Sequence, residues 1–266
     1  MENKKNYLIQ FFVITFVWSW LLWLPQVLNY FGFNVPGFLL FFGNLAIFGP
    51  LVSAFSLTLK HYGKEEFIKL LKRGIDINFQ KKWLIPTLLL SPFLSFIALI
   101  IVIFFEGNWV LEYGLNWQMF FPVMAIIFLT GGPLAEEYGW RGYALDRLQN
   151  KWNALISSII LGLIWGLWHL PLHFISGTTQ EVIPIYQHII IITLSSIFYT
   201  WLHNNTGGSV LIAMLFHLSG NMAGALFPYW VSELGRWTFF ALNILVLLPI
   251  LYYYGIKRLS KMDKNN

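Results

Sequence analysis

The side chains of this sequence that could do chemistry lie inside or beside long apolar segments. They comprise two adjacent carboxylates, an arginine, two imidazoles and an amide: Glu136, Glu137, Arg141, His169, His217 and Asn221. Ionisable groups at membrane depth are costly and rare, and they usually face a protein interior or a wet cavity that serves a function. Carboxylate and imidazole groups can accept and donate protons, and an amide can donate and accept hydrogen bonds. We therefore interpret this set as one candidate site.

Two pairs within the set have helical spacing. Glu137 precedes Arg141 by four residues, the order and spacing that favour an ion pair along a helix. The sequence leaves open whether Glu137 is only a structural partner of Arg141 or a second catalytic base. His217 and Asn221 are also four residues apart and so share one helix face. Small residues near this pair predict close approach of neighbouring helices: Ala213, Ser219, Gly220, Ala223 and Gly224.

Composition indicates a membrane protein. Of the 266 residues, 57% are hydrophobic, 19% aromatic and 11% charged, and the mean hydropathy is +0.63, far outside the range of soluble domains. Cysteine is absent, which excludes disulfides, thiol nucleophiles and thiolate metal sites. The net charge of +5 does not predict a nucleic-acid partner, because the basic residues are distributed as bilayer orientation requires.

Runs of about 20 apolar residues suffice to cross the hydrocarbon core as helices. Eight segments have this character: Tyr7–Leu28, Gly37–Leu59, Trp83–Phe105, Met119 to about Leu148, Trp152–Phe174, Val182–Leu202, Ser209–Phe227 and Leu234–Ile256. The predicted fold is all-α, a polytopic membrane helix bundle of about eight transmembrane helices that form one integral membrane domain over residues 1–266.

Basic residues predict the orientation of this bundle. With a cytoplasmic N-terminus, the outside connections contain only Arg236, whereas Lys and Arg are frequent in the inside connections and the tail. This asymmetry predicts that both termini face the cytoplasm. The inside segment Lys60–Lys82 is either a short helix lying at the membrane surface or a solvated basic loop.

The fourth and fifth segments meet at a turn near Asn150 and Lys151 and predict an antiparallel hairpin. Glu136 and His169 lie at nearly equal distances from this turn, so their heights differ by only about 5 Å at the helical rise. We therefore expect a carboxylate and an imidazole in one layer, within reach of cytoplasmic water.

Three ordered motifs resemble those of the CPBP family of intramembrane proteases. They are Glu136-Glu137-x-x-x-Arg141, Trp165-x-x-x-His169 and His217-x-x-x-Asn221. That family groups the type II CAAX prenyl proteases with bacteriocin-processing, immunity and lysostaphin-resistance-like proteins. The motifs define a protease core of about residues 119–227. Family members usually carry Phe in place of Trp165, a departure that concerns packing more than chemistry.

The resemblance implies proteolysis by an activated water. Glu136 would be the general base and His169 would orient the water, while His217 and Asn221 would stabilise the oxyanion. Alternatively, a zinc ion held by Glu136, His169 and His217 would do the same work. We favour the glutamate-activated water. Arg141 and Trp165 would support the site.

The expected substrate is a peptide or a membrane-protein segment in the plasma membrane of a bacterium, with the lipid bilayer as the other partner. Two other functions fit parts of the sequence, a non-catalytic immunity or peptide-binding protein and, less well, a proton-coupled transporter. The role of His173 is open, because it lies four residues after His169 but Pro171 between them loosens the helix.

Overall fold

Long apolar helices dominate the structure, a computed structural model that describes residues 7–261. Its main helices are α1 Leu8–Tyr30, α2 Gly49–Arg73, α3 Leu84–Glu106, α4 Phe120–Thr130, α5 Pro133–Gly139, α6 Ala154–Trp168, α7 Ile185–Asn205, α8 Val210–Leu226 and α9 Glu233–Tyr254. Seven helical segments are long and apolar enough to cross a membrane, and α8 is a shorter apolar helix. The chain is a multi-pass membrane protein, and the predicted all-α polytopic bundle is confirmed.

Each of the eight predicted segments is helical, but the fourth is not one continuous helix. Helix α4 ends at Thr130 and α5 begins at Pro133. Between them Gly132 has a φ of +110°, a conformation that only glycine adopts without strain, and Pro133 suits the first position of a helix because it has no amide hydrogen to leave unpaired. The chain then continues as a π-helical turn, Trp140–Leu145, and a last helical turn, Asp146–Gln149.

The second segment also differs from one straight span. A short helix, Gly37–Phe42, and a 3-10 turn, Gly43–Phe48, precede α2, which is interrupted at Gly63 with a φ of +84°. The part of α2 that follows Gly63 is the helix predicted within Lys60–Lys82. Shorter turns connect the remaining helices: Lys81–Trp83, Asn108–Tyr113, Trp117–Met119, Leu170–Phe174, Thr179–Val182 and Tyr229–Val231.

Helix packing encloses α5, which carries the two glutamates. Helices α2 and α8 both pack against α5, and α6 packs along α7. Close approach depends on glycine: a β-carbon at Gly139 would lie 2.5 Å from the Pro50 side chain, and one at Gly162 would lie 2.6 Å from the Thr193 α-carbon. Small residues at such crossings let helix backbones approach each other in a membrane. The carboxylates are thereby removed from lipid.

Candidate active site

Glu136 lies in the first turn of α5 and is 2% exposed. One of its carboxylate oxygens, Oε2, accepts hydrogen bonds from two indoles, Trp165 Nε1 at 2.6 Å and Trp140 Nε1 at 3.2 Å. Trp140 comes one helical turn after Glu136, whereas Trp165 reaches it from α6. Hydrogen bonds to an ionised group are stronger than those between neutral groups. These two bonds therefore fix the orientation of the carboxylate and leave Oε1 as its open oxygen.

The helix break at Gly132 shapes the space next to that open oxygen. A β-carbon at Gly132 would lie 2.5 Å from Glu136 Oε1 and 2.9 Å from His217 Nε2. The carboxylate oxygen and the imidazole nitrogen therefore border the same small space beside Gly132, which admits glycine but no larger residue without a shift. The structure thus brings Glu136 of the first motif together with His217 of the third.

Glu137 faces two partners. Its Oε1 and Oε2 accept hydrogen bonds from Arg141 Nη1 at 3.0 and 3.1 Å, and Oε1 also lies 2.7 Å from His217 Nδ1. Glu137 and Arg141 are both fully buried. Glu137 is therefore the ion-pair partner of Arg141, as its spacing indicated. It is also the group that holds His217.

Arg141 is surrounded by aromatic rings as well as by its carboxylate partner. The guanidinium carbon lies 4.3 Å from the centroid of Trp165 and 3.7 Å from that of Tyr199. Within the described residues, its Nε and Nη2 atoms have no hydrogen-bond partner. A ring face attracts a cation and replaces part of the lost hydration, so the charge of Arg141 is held by Glu137 and these two rings.

His169 ends α6 at the level where α6 meets α5. Its Nδ1 lies 2.8 Å from the Trp165 carbonyl oxygen. A carbonyl oxygen only accepts, so Nδ1 carries the proton and Nε2 of the neutral ring is an acceptor. The His169 ring centroid is 5.7 Å from that of Trp165, whose Nε1 touches Glu136. Glu136 and His169 are therefore linked through Trp165.

Asn221 connects α8 to the broken helix. Its Nδ2 donates a hydrogen bond of 2.9 Å to the carbonyl oxygen of Gly131, where α4 ends. One amide hydrogen of Asn221 is thereby used, and the second is left for another acceptor. Asn221, Trp165, His169 and His217 line one cavity of about 490 Å³. Side chains of the second and third motifs thus line this cavity, and Glu136 of the first motif contacts one of its lining residues, Trp165.

The three predicted metal ligands do not form a metal site. Among residues 7–261, no group of three or more His, Asp and Glu side chains has positions that could hold a metal ion. Oε2 of Glu136 is held by two indoles, and Nδ1 of His217 is held by Glu137. The set Glu136, His169 and His217 does not fit zinc, so we derive no step through a metal.

Trp165 has more than the packing role that its sequence position indicated. Phenylalanine would fill similar space, but only tryptophan supplies the indole N–H that reaches Glu136. Sequence reasoning missed Trp140, whose only signal was its position four residues after Glu136. It also missed His188, which the sequence shows only as a polar position near the start of α7. The His188 ring lies 5.4 Å from that of His169, and its Nδ1 lies 3.0 Å from His173 Nε2.

Comparisons with known proteins match the part of the chain that carries the site. A family model described as type II CAAX prenyl endopeptidase, Rce1-like, matches residues 117–223. The chain is also similar to CAAX prenyl protease 2 of Methanococcus maripaludis, with 26% identity over 231 residues and 83% of each chain covered.

Two staphylococcal proteins, both named lysostaphin resistance protein A, are similar as well. The one from Staphylococcus haemolyticus is 25% identical over 234 residues, and the one from Staphylococcus epidermidis is 26% identical over 233 residues. These matches cover 82% of this chain but only 61% and 58% of the two relatives. Together, the comparisons confirm the resemblance drawn from the three motifs.

Proposed function

We infer that this chain, a CPBP family protein with a type II CAAX protease-like function, is an intramembrane endopeptidase that uses a water activated by Glu136 and His169. One observation carries the proposal: Glu136 is buried, with one oxygen fixed by two indoles and the other facing the space shared with His217. A carboxylate held in this way is oriented for proton transfer rather than for structural pairing.

The first step is attack by water on the peptide carbonyl carbon. A water beside Gly132 can donate one hydrogen bond to Glu136 Oε1, which takes the proton as the water oxygen bonds to carbon. His169 Nε2, the acceptor nitrogen of its ring, orients the same water from the cavity side. When the tetrahedral intermediate collapses, Glu136 returns the proton to the leaving nitrogen, which completes hydrolysis.

Contact with Glu137 assigns His217 its part. Glu137 is buried and pairs with the guanidinium of Arg141, and its Oε1 also accepts from His217 Nδ1. This contact holds the imidazole ring with Nε2 close to Gly132. From this position an Nε2–H would donate to the oxyanion of the intermediate.

Asn221 would be the second oxyanion donor. Its side chain is oriented by the bond from Nδ2 to the Gly131 carbonyl, and one amide hydrogen remains for the substrate. Its position one helical turn after His217 places both donors on one face of α8. This set stabilises the developing negative charge without a metal ion.

The substrate would be a peptide or a membrane-protein segment that enters the cavity from the bilayer. Apolar residues line much of the cavity, among them Leu94, Ile127 and Phe216. The names of the relatives give two sources of test substrates, prenylated peptides that end in CAAX and membrane or cell-wall peptides of a lysostaphin-sensitive bacterium.

The proposal is tested with Glu136→Gln, which keeps the shape of the side chain but cannot take a proton. Wild type and variant are purified in detergent and incubated with a quenched-fluorescent peptide library and with a prenylated CAAX peptide. We expect wild-type cleavage and a loss of about a hundredfold to ten-thousandfold in the variant, with unchanged thermal unfolding. Equal turnover by both proteins would contradict the proposal. Peptide binding without cleavage by wild type would favour the immunity or peptide-binding alternative.

A further inference from the structure

We propose that the hydroxyl of Tyr199 is a third donor to the oxyanion, beside His217 and Asn221. This inference rests on the proposed protease function. It assigns Tyr199 a catalytic contact with the substrate, although none of the three motifs contains this residue.

Tyr199 lies in the part of α7 that borders the site. The side chain is 4% exposed, and it lines the same cavity as His169, His217 and Asn221. What little of it remains exposed therefore faces the space that the substrate carbonyl would enter. No other described tyrosine combines this cavity with contact to Arg141.

The ring of Tyr199 is held on several sides. The Arg141 guanidinium carbon is 3.7 Å from its centroid. The rings of Trp165, Phe216 and His217 stand nearly perpendicular to it, with centroids at 5.5, 4.7 and 6.1 Å. A side chain fixed by so many contacts places its hydroxyl without further loss of conformational freedom.

The hydroxyl is what this packing does not explain. All the contacts above are made by the ring, and phenylalanine would make them equally. The hydroxyl forms no hydrogen bond with another residue in the range 7–261, and its oxygen is not among the fully buried unpaired polar atoms there, so it remains accessible. A partner that arrives with the substrate accounts for it.

Tyr199→Phe tests this inference because it removes one oxygen atom and keeps the ring. The probe is the quenched-fluorescent peptide that wild type cleaves fastest in the library. We expect kcat to fall about a hundredfold, the lower end of the loss for one oxyanion donor, with KM and the melting temperature close to wild type. The matched control is Tyr186→Phe, the same substitution in the same helix at an exposed position that does not line the cavity. This control should keep wild-type kcat.

A thioamide at the scissile bond separates a lost oxyanion contact from a structural effect. Sulfur accepts hydrogen bonds weakly, so Tyr199→Phe should slow thioamide cleavage much less than amide cleavage. Equal losses on both substrates would overturn the inference, as would unchanged kcat or a change confined to KM. Glu136→Gln is assayed in parallel. An inactive Glu136→Gln beside a fully active Tyr199→Phe refutes the role of Tyr199 alone, whereas a fully active Glu136→Gln refutes the protease mechanism itself.

Discussion

Glu137 and His217 are joined by a 2.7 Å hydrogen bond between Oε1 and Nδ1, although they lie 80 residues apart in sequence. The same oxygen accepts from Arg141 Nη1 at 3.0 Å. One buried carboxylate thus connects the guanidinium of the first motif to the imidazole of the third. A carboxylate that accepts from an imidazole fixes the tautomer and the orientation of that ring. Glu137 therefore both compensates the charge of Arg141 and orients His217.

The first prediction concerns Glu137→Gln. Removing one partner of a buried ion pair leaves an uncompensated charge and costs about 3–5 kcal/mol. We therefore expect the unpaired Arg141 to lower the free energy of unfolding of the variant by about this amount. His217 also loses the carboxylate that fixes its ring through Nδ1, so kcat should fall. Denaturation in detergent and peptide cleavage measure the two effects.

The double variant Glu137→Gln/Arg141→Met separates the two roles. Removing both charges together relieves the unpaired guanidinium, and replacing a buried ion pair by neutral groups is often close to neutral in stability. We expect the double variant to regain much of its stability and to stay as slow as Glu137→Gln. If activity recovers together with stability, Glu137 is a structural residue only.

Much of the fold follows from the sequence because each prediction rested on a local property. Apolar runs of sufficient length identified the helical segments, and four-residue spacing identified the Glu137–Arg141 pair and the shared face of His217 and Asn221. The break within the fourth segment was harder to locate, since nothing in the sequence distinguishes Gly132, which adopts a positive φ, from glycines inside continuous helices such as Gly139 and Gly162. The sequence showed the residues of the break but not its geometry.

The second prediction concerns Trp165→Phe, which restores the residue usual in the family. It removes the 2.6 Å bond to Glu136 Oε2 but leaves the 3.2 Å bond from Trp140. A hydrogen bond to a charged group contributes about 1.5–3 kcal/mol, and part of this loss should appear as poorer orientation of the base. We expect kcat to fall about tenfold in Trp165→Phe and further in Trp140→Phe/Trp165→Phe. Wild-type kcat in the double variant would show that the two indole hydrogen bonds do not contribute to catalysis.

The third prediction concerns Gly132→Ala. The new methyl group would lie 2.5 Å from Glu136 Oε1 and 2.9 Å from His217 Nε2, and the positive φ would add about 1–3 kcal/mol of strain. Because the methyl fills the place assigned to water, we expect cleavage to be lost. Gly37→Ala is the matched control, since a β-carbon there meets nothing within 4 Å. Wild-type activity in Gly132→Ala would show that the attacking water does not lie beside Gly132.

Contacts between helices explain what sequence reasoning missed. Trp140 and Trp165 looked like ordinary membrane aromatics, because a sequence does not show which indole N–H meets a carboxylate on another helix. The zinc alternative stayed open for the same reason, since three possible ligands on three helices say nothing about whether they converge. Only the positions of the side chains show that, within the described residues, these ligands are not placed together to hold a metal ion.

The fourth prediction concerns metal dependence. Since no three His, Asp or Glu side chains among the described residues are placed to hold a metal ion, we expect exhaustive chelation to leave wild-type activity intact. Asn221→Ala should lower kcat by about two to three orders of magnitude, as expected for a lost oxyanion donor, with no change in metal content. Elemental analysis of wild type and of His217→Ala measures that content. Stoichiometric zinc that is lost on the His217 substitution would refute the glutamate-activated water.

The fifth prediction concerns orientation. Arg73 pairs with Asp146 at 2.7 Å, and the amide of Ala154 donates to the carbonyl of Lys257, so the basic connections and the end of α9 lie at one end of the bundle. Lys264, which the orientation argument also counts in the tail, lies outside the described residues. The positive-inside rule places this basic end in the cytoplasm.

The chain has no cysteine, so single cysteines report sidedness without background. Lys64 and Asn108 are exposed and lie in connections predicted inside and outside, respectively. With an impermeant maleimide on intact cells, we expect Asn108→Cys to be labelled and Lys64→Cys to be labelled only after permeabilisation. The reverse labelling pattern would show that the bundle has the opposite orientation in the membrane. The candidate site would then face the other compartment, because contacts such as Arg73–Asp146 keep the basic ends together whichever way the protein is inserted.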